Sequence, residues 1–261
     1  MEYSKTSFKK EFIVINNDIK LNYYSSPLLN NFKFIHAFFT KESHEFSLNS
    51  IANGLPKENI NCSLNQVHSN NLLLGSNLYQ KERSKADGII SDAVRQNLWI
   101  YTADCLPILF ADKQTRRVAA IHCGRLGLEK KIIRNTISLL EELGSNRQEL
   151  LVAIGPSISK INYLLEAKYI KEFDKRINFD EVGHSFIDNS LKKNKDISDL
   201  PNVKDLHPLD LHEFAFKQLC KEKIPIMNIE IAEKCTYETP KEFHSWRRTK
   251  TNKRQWSLIC S

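Results

Sequence analysis

The chain has 261 residues, of which 41% are hydrophobic and 26% charged, a composition that is ordinary for a globular protein. No apolar run approaches the roughly 20 residues that cross a bilayer, and residues 1–20 lack the apolar segment of a secretory signal. The sequence therefore predicts a cytoplasmic protein without a membrane partner. No linker-like or low-complexity stretch interrupts it, so we expect a single domain over residues 1–261.

Short apolar runs rich in β-branched residues predict eight strands. In chain order these are Glu11–Ile15, Phe34–Phe39, Leu98–Tyr101, Ile108–Ala111, Val118–His122, Leu150–Ile154, Ile229–Ala232 and Trp256–Cys260. Strands separated irregularly by helices indicate an α+β, or mixed α/β, domain rather than a regular βαβ repeat.

Three helices are predicted between these strands. Residues 128–143 place their apolar side chains on one face, and Gly144 follows where a helix C-cap belongs. A second helix covers Glu166 to Asp174, and a third starts after a capping Asp210 and runs toward Cys220. The polar residues 192–204 predict a loop.

Charge and cysteine content narrow the partners and the compartment. The formal net charge of +7 favours anionic partners, but a phosphate-bearing substrate or a solvated lysine surface explains it without nucleic acid, which we do not expect. The six cysteines are scattered without a CxxC pair, which predicts reduced thiols. The absence of GxGxxG, GxxxxGK[ST] and GxSxG argues against Rossmann, P-loop and α/β-hydrolase sites.

Two histidines and a cysteine are the candidate metal ligands. They are His68 in Asn65-Gln66-Val67-His68, Cys105 in Thr102-Ala103-Asp104-Cys105-Leu106-Pro107, and His122 in Ala119-Ala120-Ile121-His122-Cys123-Gly124. Two imidazoles and a thiolate suit zinc, and an open fourth position is typical of catalytic zinc. Taken by themselves, the three residues could equally be a surface histidine and two buried core residues.

Neighbouring segments favour the metal site. In order they are Gln66-Val67-His68, Ala86-Asp87-Gly88, Thr102 to Leu109, Ala119 to His122, Ile154-Gly155-Pro156, Leu209-Asp210-Leu211, Cys235-Thr236-Tyr237 and Ser245-Trp246-Arg247-Arg248. This series, from about residue 60 to the C-terminus, resembles the family once called multicopper polyphenol oxidase or laccase-like. Its members are also described as purine nucleoside phosphorylases and, in some bacteria, as peptidoglycan editing factors. The resemblance implies a layered sandwich of mixed β-sheets with flanking helices, and a metal held by His68, Cys105 and His122.

The same segments supply candidates around the metal. The candidate substrate or phosphate ligands are Gln66, Arg125, Arg247 and Arg248. The guanidinium group of each arginine can donate two parallel hydrogen bonds to phosphate oxygens. A solvated C-terminal hairpin is the alternative for the two C-terminal arginines. Because Trp246 and Trp256 lie nearby in the sequence, a second alternative is stacking on single-stranded nucleic acid.

Further residues are assigned supporting roles. Asp87 and Asp104 are candidate acceptors for a ligand imidazole, with turn chemistry as the alternative for Asp104. His207 and His212 are predicted to be structural.

Several segments depart from the family pattern. The usual His-Ala-Gly-Trp-Arg-Gly reads His122-Cys123-Gly124-Arg125-Leu126-Gly127, the early Thr-Arg-x-Gly-Gly reads Thr40-Lys41-Glu42-Ser43-His44, and an expected aromatic-Glu-Val reads Tyr163-Leu164-Leu165. The metal ligands are therefore retained, while the walls of the substrate site are altered.

The resemblance implies a zinc-dependent purine nucleoside phosphorylase acting on adenosine, inosine and methylthioadenosine, with adenosine deaminase activity. Its small-molecule partners would be the nucleoside and inorganic phosphate. A copper-dependent polyphenol oxidase is the first alternative, since copper also accepts Cys and His ligands, but eight scattered histidines are too few for several copper sites. A cell-wall precursor editor or ligand-binding member, retuned through the altered segments, is the second.

Overall fold

The computed structural model describes residues 3–16, 18–55, 59–79, 84–177 and 206–261. The strands in these ranges are β1 Lys9–Ile15, β2 Ile19–Ser25, β3 His36–Phe39, β4 Ile60–Ser63, β5 Leu72–Leu74, β6 Gly88–Ile90, β7 Gln96–Thr102, β8 Leu106–Asp112, β9 Val118–Cys123, β10 Leu150–Ile154, β11 Leu164–Glu166, β12 Leu206–Pro208, β13 Ile229–Ile231 and β14 Gln255–Cys260. The α-helices are α1 Pro27–Asn31, α2 Leu48–Ala52, α3 Arg125–Glu129, α4 Ile132–Glu142, α5 Ala167–Ile177, α6 Leu211–Lys221 and α7 Trp246–Thr249.

Two six-stranded mixed sheets form the centre of the molecule. The first has the order β1-β2-β3-β14-β7-β4 and the second β13-β10-β8-β9-β6-β5, while β11 and β12 form a separate pair. Most neighbours are antiparallel, but β4 with β7, β5 with β6 and β10 with β13 are parallel. The predicted mixed α/β class and layered sandwich are confirmed.

Alternating side chains of the second sheet build two cores. In β8, Ile108 and Phe110 pack in a cluster with residues of α4 and α6, whereas Leu109 and Ala111 pack in a cluster with Leu98 of the first sheet. A third cluster lies on the outer face of the first sheet, around Trp99. Because β8 is buried on both faces, its sequence is a continuous apolar run rather than an alternating one.

The predicted helix over residues 128–143 is two helices. Lys131 adopts φ 62° between α3 and α4, so the chain turns there. Only Gly124 separates the end of β9 from the start of α3. The predicted C-cap is confirmed, because Gly144 has φ 96°. Its N–H donates to the Glu141 carbonyl at 2.8 Å, and the Ser145 N–H donates to the Leu140 carbonyl at 2.9 Å. These two bonds form a Schellman motif.

The other predicted helices are confirmed within a few residues. Asp210 caps α6, since its Oδ1 accepts the Glu213 N–H at 3.1 Å. All eight predicted strands are present within a few residues, with β3 starting at His36. The predicted loop over 192–204 lies outside the described residues. Among the helices of the described ranges, none combines the length and apolar character that a bilayer crossing needs.

Candidate metal centre and anion site

The three predicted metal ligands converge where the central strands β8 and β9 of the second sheet meet, at the start of β8 and the end of β9. His68 lies in the connection between β4 and β5, Cys105 immediately precedes β8, and His122 lies in β9. One ligand atom from each lies within 4.8 Å of the others. Cys105 Sγ is 3.9 Å from His68 Nε2, and the two imidazole centroids are 4.7 Å apart. The donor set of two nitrogens and one sulfur fits zinc, and in the described residues no fourth His, Cys, Asp or Glu joins the cluster.

Strand register and one glycine bring these side chains together. In the antiparallel pair of β8 and β9, Leu106 lies opposite Cys123, so the residue before β8 meets the end of β9. A Cβ atom on Gly124 would lie 2.7 Å from Cys105 Sγ, which is too close for any other residue without a shift of the thiol. His68 reaches the cluster with φ 57°, a left-handed conformation that is uncommon outside glycine.

Asp87 supports both histidines. Its Oδ1 lies 2.8 Å from His122 Nδ1 and accepts the His68 main-chain N–H at 3.0 Å. Its Oδ2 accepts the N–H and the hydroxyl of Ser69 at 2.6 and 2.7 Å. With Nδ1 donating to Asp87, His122 Nε2 is free to bind a metal. A carboxylate is a usual outer partner of a ligand imidazole. Asp87 thus lies where the sequence places an acceptor for a ligand imidazole.

The charges of this group are coupled. Burial alone would raise the pKa of Asp87, but hydrogen bonds from His122 and Ser69 lower that pKa well below its usual range. Burial would also raise the pKa of Cys105, yet the charges and hydrogen bonds of His122 and His68 lower it. A thiolate is the form of cysteine that binds metal.

Replacing Asp87 with Asn tests its support of the metal ligands. We expect zinc to bind roughly 10- to 100-fold more weakly, the usual cost of losing the outer partner of a ligand histidine. Zinc affinity measured by competition with a chelator checks this. Asp112→Asn is the matched control, because Asp112 is also fully buried but accepts main-chain N–H groups in the β8–β9 turn. Equal zinc affinity in the two variants would contradict this role of Asp87.

Arg247 is joined to the loop that carries Cys105, since its main-chain N–H donates to Asp104 Oδ2 at 2.7 Å. Its Nη1 donates to the Leu164 carbonyl at 2.7 Å, and its guanidinium lies 5.0 Å from the centroid of the Tyr163 ring. Its Nε is buried and has no hydrogen-bond partner among the described residues. Burial first, and then the negative charge of Cys105, raises the pKa of Tyr163 to about 12, so this hydroxyl stays protonated. An unpaired buried N–H is costly, and an anion beside Tyr163 would satisfy it.

Arg125 extends the positive charge on the same side. It follows Gly124 at the start of α3, forms an ion pair with Glu129 and lies 5.6 Å from the Tyr169 ring centroid. Its charge, together with that of Arg247, acts to lower the pKa of Tyr163. The structure therefore brings Arg125 and Arg247 near one hydroxyl beside Cys105.

Three other predicted site residues have different contacts. Arg248 donates from Nη1 to the Thr236 and Tyr237 carbonyls at 2.7 and 2.8 Å and from Nη2 to the Phe243 carbonyl at 2.7 Å. These bonds use its guanidinium to fix the C-terminal chain, and its role as a phosphate ligand stays a prediction.

Gln66 and Asp104 also contact other parts of the chain, and their predicted site roles stay predictions. The Gln66 side chain donates to the Tyr101 carbonyl at 2.7 Å and accepts the Tyr101 N–H at 2.8 Å, so it pairs with the main chain of β7. Asp104 accepts from Thr236, Ser245 and Arg247 rather than from an imidazole. His212, predicted to be structural, is buried and lies 2.7 Å from Ser157 Oγ.

Sequence reasoning missed two features of the site. Tyr163 appeared only as part of a segment that departs from the family pattern, and nothing local indicates that its ring meets Arg247. Asp104 adopts φ 97°, which is rare for a residue with a side chain. Backbone strain of this kind clusters at functional sites, but no sequence pattern reports it.

Known proteins agree with the fold and the motifs. Residues 45–261 match the family described as multi-copper polyphenol oxidoreductase laccase. A Synechocystis protein named purine nucleoside phosphorylase is 30% identical over 242 residues, covering 87% of this chain and 89% of the relative. A Bacteroides thetaiotaomicron protein of the same name is 31% identical, covering 70% of this chain and 66% of the relative.

Solved structures share the fold. YlmD from Geobacillus stearothermophilus superposes with a TM-score of 0.76 at 19% identity, covering 95% of this chain and 98% of that one. The Bacillus licheniformis protein YfiH gives 0.71 at 20% identity, covering 91% and 96%. With the His68–Cys105–His122 cluster in place, the match over residues 45–261 shows that this chain belongs to the multi-copper polyphenol oxidoreductase laccase family.

Proposed function

We propose that this protein is a zinc-dependent purine nucleoside phosphorylase, which cleaves adenosine, inosine and methylthioadenosine with inorganic phosphate to a free base and a sugar 1-phosphate. The observation that carries the proposal is the buried Nε of Arg247, which lacks a partner within the described ranges, on a residue hydrogen-bonded to the chain neighbour of Cys105, one member of the metal-binding cluster. Relatives at 30% identity over most of the chain bear the name purine nucleoside phosphorylase.

The chain's own residues perform most of the binding. The Arg247 Nε, which has no partner among the described residues, would donate to a phosphate oxygen, while Nη1 is used by the hydrogen bond to Leu164. Tyr163, whose pKa is raised to about 12, remains a hydrogen-bond donor at neutral pH. Arg125 adds a second positive charge at the same hydroxyl. Holding phosphate by fixed donors both orients it and stabilises the charge that develops at the sugar.

His68, Cys105 and His122 would hold the zinc ion. When bound there, zinc acts as a Lewis acid and lowers the pKa of water toward neutrality, which is the chemistry that adenosine deamination needs. Asp87 keeps His122 oriented throughout. A multi-copper oxidase would need several metal sites, whereas the described residues contain one cluster of three metal-binding side chains. We therefore favour zinc over copper.

Base release from inosine and adenosine tests the proposal. Purified protein loaded with zinc is incubated with each nucleoside, with and without inorganic phosphate, and the products are separated by chromatography. We expect hypoxanthine and adenine only when phosphate is present, together with some inosine from adenosine. Absence of free base at saturating phosphate would refute phosphorolysis. Inosine formed from adenosine under that condition would leave deamination as the activity of the site.

A further inference from the structure

Asp104 connects the loop that carries Cys105 to the helix that carries Arg247. Its Oδ1 accepts the Thr236 hydroxyl at 2.7 Å. Its Oδ2 accepts the Ser245 hydroxyl at 3.0 Å and the Arg247 main-chain N–H at 2.7 Å. The residue is buried, so water competes little for these bonds. Asp104 is adjacent to Cys105 in the chain, and its carboxylate binds Arg247. This one residue therefore links the candidate metal ligand to the candidate anion-binding arginine.

Helix α7 depends on such bonds for its position. It has four residues, Trp246–Thr249, and none of them is buried, so packing contributes little to holding it. Arg248 binds the carbonyls of Thr236, Tyr237 and Phe243, which fixes the helix to the segment that precedes it, residues 236–243. Among the hydrogen bonds of the described residues, those of Asp104 link this segment directly to the metal loop.

The backbone of Asp104 is committed to the same geometry. Its φ of 97° is costly for a residue with a side chain, and its carbonyl accepts the Ile158 N–H at 3.0 Å. An aspartate that only ended a turn would satisfy donors near it in sequence. The three groups that donate to the Asp104 side chain instead belong to residues 132, 141 and 143 positions away.

We propose that Asp104 is a positioning residue that holds the Arg247 guanidinium at a fixed place relative to Cys105. Its carboxylate sets the affinity of the site for phosphate, while the affinity for zinc depends on His68, Cys105, His122 and Asp87. The inference rests on the proposed function in one respect, which is that it takes phosphate as the anion that Arg247 binds.

The test measures phosphate binding without turnover. Inorganic phosphate is titrated by calorimetry into zinc-loaded wild-type protein, Asp104→Asn, Arg247→Ala and the double variant. Asparagine keeps the size of Asp104 but places a donor against a donor and removes the charge. Since hydrogen bonds to charged groups are the strong ones, we expect phosphate to bind about tenfold more weakly to Asp104→Asn. Zinc stoichiometry and affinity should stay within about twofold of wild type.

The double variant shows whether Asp104 acts through Arg247. In the Arg247→Ala background the added Asp104→Asn change should weaken phosphate binding by less than about twofold, because coupled residues are not additive. Ser245→Ala is a milder second variant that removes one donor to the same carboxylate and the α7 cap. It should weaken phosphate binding about threefold, which keeps the test informative if Asp104→Asn does not fold.

Each result decides the matter. A parallel loss of zinc and phosphate affinity in Asp104→Asn would overturn the proposal, as would an undiminished effect in the Arg247→Ala background. Wild-type protein that binds no phosphate would overturn it too. Wild-type protein that binds phosphate but releases no base would refute phosphorolysis, and the expected pattern among the variants would still support the role of Asp104.

Discussion

Replacement of Cys105 with Ser should abolish both bound zinc and phosphate-dependent base release. The thiolate is one of three ligand atoms in the cluster, and a serine hydroxyl stays protonated and is a poor ligand for zinc. We expect zinc affinity to fall by more than the roughly 10- to 100-fold that loss of an outer partner costs. Turnover should fall at least about 1000-fold, since a metal ion supplies several kcal/mol of transition-state stabilisation.

The neighbouring cysteine provides the control for this prediction. Cys123 is fully buried and packs in the helix-side core rather than with the ligand atoms. Cys123→Ala should therefore keep zinc and activity near the wild-type values. Zinc content measured by atomic absorption and base release measured by chromatography check both variants. Full activity in a metal-free Cys105→Ser protein would show that the cluster is not part of the active site.

The second large effect concerns the two adjacent arginines, which should respond differently to the same substitution. Arg247→Ala should lower kcat/KM for phosphate about 100-fold, because charged hydrogen bonds contribute roughly 1.5–3 kcal/mol and each 1.36 kcal/mol is tenfold. The effect should appear mainly in the KM for phosphate, with zinc content unchanged, because Arg247 is not a metal ligand.

Arg248→Ala is the matched comparison. Its guanidinium binds three main-chain carbonyls, so we expect a loss of about 2–3 kcal/mol in the free energy of unfolding and a much smaller rise in the phosphate KM than Arg247→Ala causes. Thermal unfolding and steady-state kinetics of both variants separate the two effects. Similar changes of the phosphate KM in the two variants would contradict the division of roles drawn from the hydrogen bonds.

Much of the scaffold follows from local sequence chemistry. The apolar runs of β8, β9 and β10 predict strands because each is rich in large aliphatic residues that the core requires. Asp210 and Gly144 mark helix ends because their side-chain and backbone properties suit a cap and a left-handed turn. Six strands of the described residues were not predicted. Five of them, β4, β5, β6, β11 and β12, have only three or four residues, which is too few to show a clear periodicity. The sixth, β2, was missed although it has seven residues.

The sequence by itself determined the donor set of His68, Cys105 and His122, because ligand chemistry is a property of the side chains and their flanking motifs. It also determined the mixed α/β class. The tertiary structure alone decided which of two adjacent arginines has a buried N–H with no partner in the described part of the chain. It also decided which aspartate supports the histidines and which holds α7. The reason is that these roles depend on hydrogen-bond partners brought together by folding. Arg247 and Asp104 are 143 residues apart in the chain, and no local pattern records that contact.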